Sequence, residues 1–138
     1  MLEYRITARR RDTHGSEAMC KGARLELDTA PEGRADAFNP AELLLAAVAA
    51  CMIKNIERVA PLLRLEIRGI EVSVHGVRQD SPPKLASLSY ELIVDTDADD
   101  HKLELLHQNV RKYGTIYNTV AEATRLEGRI VRRSNVRL

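Results

Sequence analysis

Cysteine is scarce in this chain: there are two, Cys20 and Cys51, and no CxxC spacing. Two sulfurs are too few for a disulfide scaffold or a cysteine-built zinc site, and two free thiols in a reducing compartment are the simplest state. Excess charge of either sign is lacking as well. With 21 basic and 20 acidic side chains the net charge is +1, so neither nucleic acid nor a membrane surface is an expected partner. No long hydrophobic run is present. The longest, Leu43 to Ile53, has 11 residues against the roughly 20 of a membrane span, and Leu2-Glu3-Tyr4-Arg5 lacks the apolar stretch of a secretory signal. A cytoplasmic location is expected. Internal repeats, low-complexity tracts and dividing linkers are also missing, which predicts one domain over residues 1–138.

What is there suits a compact fold. The 138 residues are 44% hydrophobic and 30% charged, with five prolines and seven glycines, enough to bury a core without a metal or disulfide staple. Leu2, Tyr4, Ile6 and Ala8 alternate with polar residues, the period of a half-buried strand, and Leu25 and Leu27 suggest an antiparallel second strand after a turn near His14-Gly15-Ser16. A loop over residues 29–38 leads to Asn39-Pro40-Ala41-Glu42. There Asn39 can cap a helix, Pro40 tolerates its missing N–H, and Glu42 can reach back as a capping box. Leu43 to Ile53 carries apolar residues on every face, so the first half of this helix is expected to be buried all round before Lys54, Asn55, Glu57 and Arg58 restore polarity and Pro61 stops it.

Leu65 and Ile67 alternate in one register and Ile70, Val72 and Val74 in the other, which predicts a long strand with a bulge at Gly69. Leu88, Tyr90, Leu92 and Val94 form the next strand after a Ser81-Pro82-Pro83 turn. Asp99 or Asp100 can cap a helix carrying Leu103, Leu106 and Val110. A break at Gly114 leads to a short helix with Ile116 and Val120, and Arg129-Ile130-Val131 suggests a closing strand. The pattern is α+β with mainly antiparallel strands. A chain of this size has little to cover an all-apolar helix, so a homodimer that packs the helix against its mate is expected.

Cys51 admits two readings. A small sulfur-bearing side chain can simply fill space in a buried helix. Alternatively it is a nucleophile, which requires the thiolate and therefore a stabilising environment. Cys51 lies some three turns past Asn39, beyond the reach of the helix dipole, so a cation is needed: Lys54, or Arg24 or Arg34 from the first sheet. Cys20 is either an incidental strand residue or a possible second thiol, if it approaches Cys51 closely enough to bridge. His14, His75, His101 and His107 lack close metal-ligand spacing and are expected at the surface, so neither metal nor cofactor is expected. The amides at Gly114-Thr115-Ile116-Tyr117-Asn118 either hold a small anion or mark a helix break. Arg9, Arg10, Arg11, Arg132 and Arg133 read as solvated strand ends.

The run Phe38-Asn39-Pro40-Ala41-Glu42-Leu43-Leu44-Leu45-Ala46-Ala47-Val48-Ala49-Ala50-Cys51, with the later Lys112-Tyr113-Gly114-Thr115-Ile116-Tyr117-Asn118-Thr119, resembles the OsmC/Ohr family, and the order of elements agrees over nearly the whole chain. The resemblance implies an interlocked homodimer with sites at the subunit interface, and thiol-dependent reduction of organic hydroperoxides or hydrogen peroxide. It implies that Cys51 is the peroxidatic thiol. The family's resolving cysteine would fall at about Gly114, where there is no sulfur, and its glutamate near Ala41, one residue from Glu42. Its arginine corresponds to Arg24 or Arg34. Candidate catalytic residues are therefore Cys51, Arg24, Arg34 and Glu42, with Tyr117 and Met52 as candidate substrate-binding residues. The implied partners are a hydroperoxide and an external thiol reductant; a non-catalytic pocket for a small apolar or thiol-bearing ligand is the alternative.

Overall fold

Asn39 and Glu42 cap each other at the head of the longest helix. The Asn39 side-chain oxygen accepts the Glu42 N–H at 2.8 Å, and a Glu42 carboxylate oxygen accepts the Asn39 N–H at 3.0 Å. This reciprocal box satisfies amides that no helical carbonyl can reach. It starts α1, Pro40–Val59, in a computed structural model that describes residues 1–136. Pro61 then converts the chain to a 3-10 turn, Ala60–Leu63, which Arg64 ends in the left-handed region at φ 57°.

The chain divides into two compact units, Met1–Leu44 and Leu45–Leu138. The first is an antiparallel sheet of β1 (Thr7–Asp12), β2 (Gly15–Cys20) and β3 (Ala23–Leu27), in that order. The loop after β3 folds around Asp28, whose carboxylate accepts the Arg34 N–H at 2.9 Å and the Ala30 N–H at 3.2 Å. Two expectations are corrected here. The first strand begins at Thr7, leaving residues 1–6 outside any strand with Leu2, Tyr4 and Ile6 exposed: alternation marks one face for burial, and this unit alone does not cover it. Leu25 and Leu27 belong to the third strand, because Gly15-Ser16-Glu17-Ala18-Met19-Cys20 forms a strand by backbone pairing with no large apolar alternation to announce it.

The second unit holds the core. Its sheet runs β4 (Gly69–Asp80), β5 (Pro83–Asp95), β6 (Arg125–Arg132), with β4 and β5 antiparallel. β6 lies parallel to β5 because α2 (Asp100–Tyr113) and α3 (Thr115–Ala121) carry the chain back over the sheet. Asp99 caps α2 by accepting the Lys102 N–H at 2.9 Å. Val48, Met52, Ile56 and Val59 of α1, Leu88, Leu92 and Val94 of β5, and Leu103, Leu106 and Val110 of α2 form one buried cluster. Gly69 opens β4 rather than bulging it, since Leu65 and Ile67 precede the strand and pack on the core from the loop; the register shift lies between Val77 and Arg78.

In the single chain α1 is not buried all round. Its buried residues, Val48, Met52, Asn55, Ile56 and Val59, form one stripe at helical spacing, whereas Leu44 and Ile53 are 38% and 37% exposed. His107 is likewise not at the surface. It is buried, and its Nε2 shares a 2.7 Å hydrogen bond with the Tyr90 hydroxyl. Tyr90 fits there because Gly128, opposite it on β6, has no side chain: an added Cβ would collide with the Tyr90 ring and carbonyl oxygen. Nor is Arg132 a solvated end, since its Nε donates to the Ala98 carbonyl at 2.9 Å.

Candidate active site

Cys51 sits one residue before the fully buried Met52, about 100° around the helix, and so lies at the edge of the buried stripe rather than at its centre. It is half-buried, and its thiol is free. One turn on, at the i+4 position that shares its face, Asn55 is 7% exposed and donates from Nδ2 to the Cys51 Sγ at 3.5 Å. Arg58 in turn donates to the Asn55 side-chain oxygen. A sulfur, a carboxamide and a guanidinium thus run along one side of α1.

The α2–α3 junction packs on this run. A Cβ added at Gly114 would lie 3.2 Å from Asn55 Nδ2, 3.0 Å from the Tyr117 Cβ and 2.9 Å from the Val110 carbonyl oxygen. The junction therefore has no room for a side chain unless the backbone yields. Tyr117 is half-buried and stacks edge-on against Tyr90, ring centres 6.4 Å apart. Burial raises the Tyr90 phenol above its ordinary range, and burial first, then the charge of Arg111, pushes the His107 imidazole down.

The other candidates are placed as follows. Met52 belongs to the hydrophobic core. Glu42 closes the helix cap. Arg24 pairs with Glu17 across β2 and β3, and Arg34 donates to both oxygens of Asp36, at 2.9 and 3.0 Å, and to Glu26 at 2.9 Å. Both guanidiniums are thus held by carboxylates of their own unit. Cys20 ends β2 opposite Ala23, half-buried. Lys54 is exposed. Among the described residues no cluster of His, Cys, Asp and Glu could hold a metal ion, and no helix is long and apolar enough to cross a membrane. In the sequence Asn55 and Arg58 look like no more than the polar end of a helix; their i+4 and i+7 spacing from Cys51 is the signal that sets them on its face.

Two three-stranded sheets and three helices, with a half-buried free cysteine on the capped first helix, define an α+β protein. The sequence model described as OsmC-like protein matches residues 33–128, and the chain belongs to the OsmC family. The OsmC-like protein of Mycoplasma pneumoniae shares the fold at 20% identity and a TM-score of 0.87, over 95% of this chain and 97% of its own. The organic hydroperoxide resistance protein OhrB of Bacillus subtilis is similar at 20% identity and a TM-score of 0.67, over 94% and 98%. An organic hydroperoxide resistance protein OsmC from Legionella pneumophila matches at 18% identity and a TM-score of 0.70, over 94% and 97%. No curated protein sequence matches the chain.

Proposed function

We propose that the protein is a thiol-dependent peroxidase that reduces organic hydroperoxides or hydrogen peroxide through Cys51, using an external thiol in a reducing cytoplasm. The observation that carries this reading is the setting of Cys51: a free cysteine, half-buried at the edge of the core, whose sulfur has a polar donor beside it. The thiolate attacks one peroxide oxygen, the O–O bond breaks, and the departing oxygen takes a proton to leave as alcohol or water. Cys51 becomes a sulfenic acid. A first external thiol condenses with it, releasing water and forming a mixed disulfide; a second thiol displaces Cys51 and leaves as the oxidised dithiol. Gly114 favours this external route, since the junction holds no sulfur and has no space for one. Cys20, the other thiol of the chain, is free as well.

A homodimer is part of the proposal. Leu44 and Ile53 on α1, and Leu2, Tyr4 and Ile6 before β1, are apolar and exposed in the single chain, and a second copy would cover such surface. Arg24 or Arg34 is proposed to stabilise the departing oxygen, and Tyr117 to border the substrate. The carboxylates that hold both arginines favour a second reading, a non-catalytic pocket for a small apolar or thiol-bearing ligand. Consumption of an alkyl hydroperoxide with a dithiol reductant separates the two: the wild type turns over and Cys51→Ser does not. Equal consumption by both proteins, or none by either, rejects the peroxidase and leaves the binding role.

A further inference from the structure

We infer that Asn55 is a positioning residue for Cys51: its carboxamide, clamped by Arg58, donates a hydrogen bond that favours the thiolate. The inference rests on the reading of Cys51 as the reactive thiol and supplies the stabilising group which that reading requires from its surroundings.

Three observations carry it. Asn55 is 7% exposed, and a buried carboxamide is retained at a cost unless both of its ends find partners. Those ends are fixed by chemistry. A guanidinium has only donors, so the atom facing Arg58 is the amide oxygen, and the NH2 group therefore faces the sulfur at 3.5 Å. A thiolate is an acceptor, so an NH2 group aimed at the sulfur complements the ionised form better than the neutral thiol. Finally, the α2–α3 junction leaves space for this carboxamide: Gly114 presents no side chain, and a Cβ there would lie 3.2 Å from Asn55 Nδ2. Where the family resemblance places a resolving sulfur, this chain has a glycine, whose missing side chain leaves the Asn55 amide unobstructed.

The charged groups near Cys51 on its own helix are Lys54, Glu57 and Arg58, and all three are exposed. At the α2–α3 junction beside Asn55, the groups around Gly114 are the Val110 carbonyl of α2 and the Tyr117 Cβ of α3, neither of them charged. The buried donor in direct contact with the sulfur is Asn55. Arg58 acts on the sulfur through that amide, to whose oxygen it donates.

The test is the rate of iodoacetamide alkylation of the Cys51 peptide, followed by mass spectrometry across pH, in wild type, Asn55→Leu and Arg58→Met. Asn55→Leu keeps the volume and removes the donor. Its profile is expected to move to higher pH, with alkylation at pH 7 slowed roughly tenfold and the far-UV spectrum unchanged. Arg58→Met alters an exposed side chain, so it carries the test if Asn55→Leu does not fold; its profile is expected to move the same way by a smaller amount. Profiles that overlay the wild type overturn the inference. A wild type that consumes no hydroperoxide while its Asn55→Leu profile shifts removes the peroxidase and leaves the donor assignment standing. An active wild type with unmoved variants does the reverse.

Discussion

His107 and Tyr90 are polar groups sunk in an apolar core, and their 2.7 Å hydrogen bond is what makes that burial tolerable. Burial and the nearby charge of Arg111 depress the imidazole below its ordinary value of about 6.5. In the window below about pH 6.5 the unfolded chain therefore binds a proton that the folded chain refuses. The corresponding stability is complete above that pH and is lost as pH falls towards the depressed folded value. His107→Gln can still hydrogen-bond the Tyr90 hydroxyl but cannot titrate. Thermal melts at pH 7.5 and 5.0 are expected to show a smaller loss of Tm on acidification for His107→Gln than for the wild type; equal losses contradict the assignment. The same scale governs Cys51, where one position along the helix separates a sealed core residue, Met52, from a half-buried thiol.

At the scale of the element, the head of α1 is the feature most directly encoded by local sequence. Asn39→Ala removes the side-chain acceptor of the cap and is expected to cost about 1 kcal/mol in denaturant unfolding. Glu42→Gln retains the reciprocal bond and is expected to stay within about 0.5 kcal/mol of wild type; a larger loss would mean that the Glu42 charge does more than cap. Such local chemistry made α1, α2 with its Asp99 cap, and the alternating β5 legible from the sequence. Elements set by tertiary pairing were not. β2 has no apolar alternation, and Leu2 to Ile6 has alternation without a covering surface in its own unit. Leu65 and Ile67 imitate a strand while packing as a loop. Half of the site was readable for the same reason. Cys51 stands out within an apolar run, but Asn55 becomes significant only when the α2–α3 junction buries it, and residues sixty positions away do that.

At the scale of the molecule, an α1 with one face in the core and Leu44 and Ile53 exposed points to the proposed dimer. Sedimentation of the wild type at micromolar concentration is expected to give twice the chain mass, and Leu44→Asp combined with Ile53→Asp is expected to shift it towards the monomer. A monomeric wild type would contradict the dimer. The account as a whole turns on whether peroxide oxidises Cys51. Brief exposure to equimolar alkyl hydroperoxide without reductant, followed by dimedone trapping and peptide mass spectrometry, reads this directly. The adduct of a sulfenic acid concentrated on Cys51 is the predicted result; a Cys51 peptide that stays unlabelled and unoxidised would contradict it.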